Sequence, residues 1–149
     1  MDHDHYADDY LESVLEDCRT IAVVGASTDD KRPSFWVTGF LLGKGYTVYP
    51  VNPRHVDEVL LGRPVLASLA EVPEPIDLVD VFRHPSAFPA TVEDVLRLRH
   101  RPKAIWGQLG VRDDAAAKRA EEAGIHVVMD RALVTEYALV YSKTHAKAG

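Results

Sequence analysis

Short apolar runs, separated by polar and Gly- or Pro-rich segments, divide this chain into regular units. Five of the runs are predicted to be buried parallel strands, because each is short, rich in β-branched residues and ends abruptly. They cover residues 20–24, 47–51, 76–82, 104–106 and 125–129. In several segments between them, such as residues 35–42 and 88–96, apolar residues recur at helical spacing.

The alternation of strand and helix predicts an α/β fold: a Rossmann-like, doubly wound, parallel five-stranded sheet in a three-layer α/β/α arrangement. The default strand order is 3-2-1-4-5. In such sheets a ligand binds beyond the carboxyl ends of the strands, where the strand order reverses. We therefore expect the loop after the first strand to lie opposite residues 106–110, with the loops after the second and third strands along the same edge.

The domain organisation predicted from this pattern is simple. A chain of 149 residues is long enough to bury a core of its own, and we assign residues 10–142 to a single domain. The polar residues 1–9 are expected to form a frayed N-terminal tail, and residues 143–149 a C-terminal tail. A helix is predicted over residues 10–18, with Cys18 on its apolar side as inert packing.

Composition narrows the class of protein. A hydrophobic content of 46% and a charged content of 27% are ordinary for a soluble domain. A net charge of −6 disfavours nucleic-acid binding, although a small basic pocket for an anion remains compatible with it. No apolar run approaches the ~20 residues of a membrane span, and no signal-peptide pattern is visible. With a single cysteine, and so no internal disulfide, these features predict a cytoplasmic protein.

The loop after the first strand has the features of a phosphate-binding turn. Gly25 ends the strand, Pro33 suits a first helical position, and Ser34 offers an oxygen to the free N–H groups there. A tight turn leading into a helix N-terminus attracts anions, and Arg32 adds a permanent cation. The alternative is that any α/β domain needs a glycine here, but the length of the loop and its hydroxyl groups favour phosphate binding.

This loop departs from the dinucleotide fingerprint Gly-x-Gly-x-x-Gly, which is paired with a carboxylate after the second strand. Only Gly25 is glycine, and Ser27 occupies the place of the second one. The second strand runs into the sequence Asn-Pro-Arg-His at residues 52–55, which contains no carboxylate. NAD is therefore disfavoured, whereas NADP or another nucleotide with a phosphorylated ribose stays open.

Several motifs at the predicted strand tips occur in a recognisable order. They are Gly25-Ala26-Ser27, Arg32-Pro33-Ser34, Pro50-Val51-Asn52-Pro53, Val81-Phe82-Arg83, Trp106-Gly107-Gln108-Leu109-Gly110 and Val128-Met129-Asp130-Arg131. Together they resemble the stand-alone coenzyme A-binding proteins, a family similar to the nucleotide-binding domain of the succinyl-CoA synthetase α subunit. The resemblance extends over roughly residues 11–137 and implies a Rossmann-like CoA-binding fold, usually without an assigned reaction. The chain departs from the family at Ala132, where a cysteine often follows Asp-Arg, so thiol chemistry at that position does not carry over.

The resemblance implies a set of CoA-binding residues. The pyrophosphate is expected on the turn at Ala26 and Ser27 and at the helix start near Ser34, with Arg32 closing over it. Arg54 is the candidate for the ribose 3′-phosphate, with a solvated arginine as the alternative. The full set is Gly25, Ala26, Ser27, Arg32, Pro33, Ser34, Asn52, Pro53, Arg54, Arg83 and Gln108.

The remaining members of that set have narrower roles. Asn52 and Pro53 would line the adenosine side, and Gln108 would hydrogen-bond a pantetheine amide. Arg83 either faces a phosphate or ties two loops together. Trp106 is expected to be a core aromatic residue.

No catalytic or metal-binding set can be assembled at convincing spacing. His84 is interpreted as a loop histidine. The first hypothesis is therefore a protein that binds coenzyme A or a short acyl-CoA without chemistry of its own. An NADP-binding reductase-like protein is disfavoured, since no residues remain for a substrate domain. A CoA-sensing regulatory subunit remains an alternative, and a protein partner or a homo-oligomer stays open.

Overall fold

A computed structural model describes the backbone of residues 1–148 and the side chains of residues 1–141. The helices are α1 Asp8–Leu15, α2 Pro33–Gly43, α3 Phe88–Leu96, α4 Asp114–Glu122 and α5 Leu133–Ala148. The strands are β1 Thr20–Val24, β2 Thr47–Val51, β3 Val59–Leu60, β4 Arg63–Pro64, β5 Leu78–Val81, β6 Ala104–Gly107 and β7 His126–Val128. Of the tail predicted at residues 143–149, the backbone of residues 143–148 continues α5, while Gly149 and the side chains lie outside the described residues.

The five-stranded sheet confirms the predicted fold class. All its neighbours are parallel, and the strand order is β2-β1-β5-β6-β7. The predicted order 3-2-1-4-5 is wrong in one respect. The third predicted strand, β5, does not flank β2 but lies between β1 and β6, with Ile21 opposite Leu78 in the register. Strand β2 is therefore at the edge of the sheet.

The physical reason for this order lies in the two strands themselves. All four residues of β5 are buried, which suits a central position, whereas β2 is only partly buried. Pro50 within β2 has no N–H to donate to a second neighbour, and proline is confined to edge strands for that reason. On the outer side of β2 there is only an isolated bridge to Leu66, whose N–H donates a hydrogen bond to the carbonyl of Pro50 at 2.9 Å.

Two hydrophobic clusters, one on each face of the sheet, hold the helices. Helices α3 and α4 cover one face through residues such as Phe88 and Ala117. Helices α1, α2 and α5 cover the other through residues that include Val14, Leu41 and Leu133. None of the helices within the described residues combines the length and the mean hydropathy needed to cross a membrane. The three-layer arrangement predicted from the sequence is thus present.

Two of the residues 1–9, which were expected to form a frayed tail, are anchored to the domain: His3 is buried and Tyr6 is half-buried, while the others are exposed. His3 is buried, with its Nδ1 at 2.6 Å from the Tyr6 hydroxyl and its Nε2 at 2.6 Å from Glu121 Oε1. The Tyr6 hydroxyl accepts a hydrogen bond from the N–H of Met129 at 2.9 Å. These polar side chains satisfy one another and the backbone beyond β7, which the local polarity of the segment does not reveal.

Candidate functional site

The crevice of this sheet lies between β1 and β5, because the chain leaves β1 toward β2 on one side and returns to β5 on the other. The sequence predicted that the strand order reverses between the first and fourth predicted strands, which are β1 and β6. This position was wrong for the same reason as the strand order, because β5 lies between them. As a result, the loop after β1 directly faces the loop after β5. The loop after β6 is the next neighbour along the same edge and still contributes to the site.

A cleft of about 380 Å³ opens at these strand tips; we call it the β1/β5 cleft. Nine predicted site residues line it: Gly25, Ser27, Arg32, Pro33, Ser34, Asn52, Arg54, Arg83 and Gln108. Ala26 and Pro53 do not, since Ala26 is buried in the core beneath the turn and Pro53 is turned outward at the start of a short 3₁₀ turn. The cleft therefore gathers residues from four separate loops.

Gly25 is required at the turn after β1 for two reasons. Its φ angle is +83°, in the left-handed region that other residues adopt only with strain. A Cβ atom there would lie 2.3 Å from the carbonyl oxygen of Phe82, well inside van der Waals contact. The glycine thus lets the loop after β1 approach the loop after β5, and the stem of Arg83 packs over it.

At the turn predicted to hold the pyrophosphate, the N–H groups of Ala26 and Ser27 already donate hydrogen bonds within the protein. The N–H of Ala26 donates to the carbonyl of Val51 at 3.3 Å. The N–H of Ser27 donates to Ser34 Oγ at 3.0 Å. Ser34 is the second residue of α2, and its hydroxyl therefore holds the turn against the start of the helix. Arg32 occupies the N-cap position, but its side chain makes no capping hydrogen bond.

Asn52 links the loop after β1 to the loop after β2. Its Nδ2 donates to the carbonyl of Ala26 at 2.9 Å, and its Oδ1 accepts from the N–H of Arg54 at 3.0 Å. Both ends of the carboxamide are therefore engaged. Asn52 positions the loops that carry Arg32 and Arg54 rather than offering an unused polar group.

Three exposed arginines surround the cleft: Arg32, Arg54 and Arg83. Within residues 1–141, none of their guanidinium groups makes a hydrogen bond or an ion pair. Most other arginines are engaged by carboxylates or carbonyls, namely Arg63, Arg97, Arg101, Arg112, Arg119 and Arg131. The first turn of α2 carries no acidic residue. The cleft is accordingly a local positive region on a chain of net charge −6.

A carboxylate does come near this edge from further along the chain. Glu58 accepts a hydrogen bond from the Thr28 hydroxyl at 2.8 Å and lies 2.5 Å from His55 Nδ1. These bonds, from Thr28 first and then His55, lower the pKa of Glu58. Glu58 is held in contacts between two loops and is outside the set of residues that line the cleft.

The floor of the cleft contains a buried polar pair. Gln108 follows β6 and is nearly buried, and its Nε2 donates to Asp80 Oδ1 at 2.6 Å. Asp80 lies within β5 and is fully buried. Burial raises the pKa of Asp80 to about 7, although the hydrogen bond from Gln108 opposes that rise.

The nucleophile and base candidates lie away from the cleft or are engaged elsewhere. Cys18 is buried at the amino end of the sheet, where its thiol donates to the carbonyl of Val14 at 3.1 Å. Burial raises the pKa of the Cys18 thiol to about 11. His84 Nδ1 accepts from the N–H of Ser86 at 3.1 Å and contacts its hydroxyl, so His84 begins a short turn and does not line the cleft. Trp106 is fully buried, as predicted.

Sequence reasoning missed some of the cleft. His55, Phe82, Leu109 and Val111 also line it. His55, Phe82 and Leu109 are each adjacent in the chain to a predicted residue at the same strand tip, which was a usable signal. Asp80 was missed for a different reason: it is a carboxylate inside an apolar run, and such a residue in a predicted buried strand is itself worth explaining.

The chain is similar to a known protein family and to several individual proteins. Residues 19–138 match the family described as "CoA binding domain". "Uncharacterized protein YneT" of Bacillus subtilis (strain 168) is 33% identical over 129 residues, 87% of this chain and 93% of that protein. The solved structure of cell-free ID.343 from Thermus thermophilus is 43% identical with a TM-score of 0.84, and covers 91% of this chain and 99% of its own. A hypothetical protein from Pyrococcus horikoshii OT3 is 33% identical with a TM-score of 0.84, covering 93% and 94% respectively.

Proposed function

This chain belongs to the CoA-binding domain family, and we propose that it binds coenzyme A, or a short acyl-CoA, in the β1/β5 cleft. The pyrophosphate and the 3′-phosphate of the ligand are held at the carboxyl edge of the sheet by the arginines of three loops. The chain performs no chemistry of its own on the ligand.

The proposal rests on the guanidinium groups of Arg32, Arg54 and Arg83, which have no hydrogen-bond or ion-pair partner within residues 1–141. Coenzyme A presents two phosphate centres, a pyrophosphate and a phosphorylated ribose, and guanidinium forks match phosphate oxygens well. Arg32 at the N-cap of α2 is the natural pyrophosphate contact, since the positive end of the helix adds to its charge. Arg54, in the short 3₁₀ turn after β2, is assigned to the 3′-phosphate.

The apolar part of the cleft suits the pantetheine arm. Leu109 is 70% exposed at the rim, with Phe82 and Val111 beside it. A flexible arm with two amides needs apolar walls with a few polar groups, and Gln108 supplies one at the floor. A single coenzyme A molecule would therefore place its phosphates at the arginines of the rim and its pantetheine arm against the less polar wall.

Thermal unfolding tests the ligand class directly. Coenzyme A at one hundred times its dissociation constant should stabilise the native state by roughly 2.7 kcal/mol and raise the Tm, whereas NAD should not. NADP is the stringent control, because it shares a phosphorylated ribose but lacks the arm. Equal shifts with all three nucleotides would remove the argument for coenzyme A.

A pair of arginine variants tests the binding mode. Arg54→Ala should weaken coenzyme A by roughly ten- to a hundredfold, the value of a hydrogen bond to a charged group, and leave dephospho-CoA nearly unchanged. Calorimetric titration measures both ligands. Arg99→Ala is the matched control, since Arg99 is also exposed but lies near a separate depression beyond α3. Equal losses for both ligands in Arg54→Ala would place the 3′-phosphate elsewhere on the edge.

The absence of chemistry is tested with an acyl-CoA. Thioester cleavage needs an activated nucleophile or a positioned base. The Cys18 thiol is buried at the opposite end of the sheet, and His84 is engaged with Ser86. We expect acetyl-CoA incubated with the protein to release free thiol at the uncatalysed rate. Release that disappears in His84→Ala would establish His84 as a base and refute a function limited to binding.

A further inference from the structure

Asp80 is an unusual residue for the middle of a parallel sheet. It is fully buried, and its neighbours in the register are the apolar Val23 and Trp106. Its Oδ2 is a buried side-chain atom without a hydrogen-bond partner among the described residues. Such a group costs free energy and calls for an explanation. Its hydrogen bond, through Oδ1, is to Gln108 in the cleft.

Gln108 is held firmly at its backbone. Its N–H donates to the carbonyl of Val81 at 3.2 Å, and its carbonyl accepts from the N–H of Val111 at 2.8 Å. The side chain donates through Nε2 to Asp80, while Oε1 has no partner within residues 1–141 and is not a buried atom. The oxygen end of the carboxamide is thus the end left for the cleft.

We propose that Asp80 is a positioning residue of the β1/β5 cleft, which turns the Gln108 carboxamide so that Oε1 is presented to the ligand as a hydrogen-bond acceptor. The group recognised there is an N–H donor on the uncharged arm of the ligand. This inference rests on the proposed function, since it concerns the pantetheine arm of coenzyme A, whose amides supply such donors.

The chemistry of the two side chains explains the orientation. An ionised carboxylate only accepts hydrogen bonds, so it binds the NH₂ end of a carboxamide and excludes the oxygen end. Without the carboxylate the carboxamide has no reason to prefer one orientation, and its buried end loses its partner. Burial raises the pKa of Asp80 to about 7, so the ionised form is available under ordinary buffer conditions above that value.

A double-mutant cycle with two ligands tests the inference at about pH 8. The ligands are coenzyme A and adenosine 3′,5′-bisphosphate, which has the phosphorylated ribose but no arm. Gln108→Leu removes the acceptor, and Asp80→Leu keeps the branching of the side chain but removes the carboxylate. Each should weaken coenzyme A on the order of three- to tenfold, as expected for one neutral hydrogen bond, without changing the affinity for the bisphosphate.

The double variant distinguishes positioning from an independent contribution. If Asp80 acts through Gln108, Asp80→Leu should cause no further loss of coenzyme A affinity in the Gln108→Leu background. Thr38→Val is the matched control, because Thr38 is also buried and hydrogen-bonded, at 2.7 Å to the carbonyl of Ser34, but does not line the cleft. Additive losses, or equal losses for both ligands, would overturn the inference.

A measurement on the free protein separates this inference from the proposed function. In the amide NMR spectrum, one side-chain NH₂ proton of Gln108 should be shifted downfield and exchange slowly, and Asp80→Leu should abolish the shift. If Asp80→Leu does not fold, Asp80→Asn serves instead: its neutral oxygen is a weaker acceptor than a carboxylate, so the shift should be reduced rather than abolished. A Gln108 NH₂ signal typical of a solvated amide would overturn the positioning role even if coenzyme A binds. Failure of the wild-type protein to bind coenzyme A would refute the proposed function, and the NMR signal would still decide whether Asp80 orients Gln108.

Discussion

Replacing Asp80 by asparagine should make the free energy of unfolding less sensitive to pH. Asp80 is fully buried, and burial raises its pKa from an ordinary value of 3.8 to about 7. Between these two values the native state keeps a proton that the unfolded state has released. Rising pH therefore favours unfolding, and asparagine, which is similar in shape, has no proton to lose.

The size of the effect follows from the same pKa shift. The contribution of a neutral Asp80 is fully present below about pH 4 and is lost as the pH rises through about 7, at about 1.4 kcal/mol for each pH unit between the two pKa values. Between about pH 5 and about pH 8, the wild-type protein should lose about 2–3 kcal/mol relative to Asp80→Asn.

Urea unfolding of both proteins at the two pH values measures this difference. With a typical slope for a domain of this size, the relative shift of the unfolding midpoint is roughly 1–2 M urea. Other titrating groups are common to both proteins and cancel in the comparison. Thr91→Val is the matched control, because Thr91 is a buried polar residue that does not titrate in this range.

Two results would refute this reasoning. If wild type and Asp80→Asn showed the same pH dependence, Asp80 would have an ordinary pKa in the native state. Burial would then not destabilise its ionised form. If Thr91→Val changed the pH dependence as much as Asp80→Asn, the effect would come from a general loss of packing.

Three further predictions concern other parts of the molecule. Gly25→Ala should lower the free energy of unfolding by a few kcal/mol in urea titration and abolish coenzyme A binding, because a Cβ there would lie 2.3 Å from the Phe82 oxygen; near-wild-type stability would contradict the tight approach of the two loops. Tyr6→Phe should cost about 1–3 kcal/mol in the same assay, since it leaves the Met129 N–H without its 2.9 Å partner, and an unchanged midpoint would mean that the N-terminal segment is loosely held. The Cys18 thiol, buried and with a pKa raised to about 11, should react with a thiol reagent only as fast as the protein opens, so rapid labelling of the native protein would contradict the packing.

The local sequence pattern was sufficient for much of the fold. Five apolar runs predicted the five strands of the sheet to within two residues at either end, because burial of a short strand between two helical layers leaves an almost continuous apolar stretch. The need for Gly25 was visible too, as the glycine that ends the first run. The polar loops at the strand tips identified most of the cleft, since parallel strands send their carboxyl ends to one edge.

The sequence pattern did not determine the features that depend on contacts between segments far apart in the chain. Strand order follows from pairing across long stretches of chain, and the default order misplaced β5; Pro50 in β2 was the local sign of an edge strand. The hydrogen bonds of Ala26 and Ser27 to Val51 and Ser34 were likewise invisible, although they engage two N–H groups at the turn predicted to hold the pyrophosphate.

Asp80 and Gln108 show the same limit most clearly. They are 28 positions apart in the chain, yet they meet because β5 and β6 are neighbours in register. Hydrophobic periodicity reports how each residue is buried along its own strand, and it contains no information on the partner across the sheet. The tertiary structure decides that partner. It therefore also decides whether a buried carboxylate only lowers the stability of the fold or also orients a side chain at a cleft.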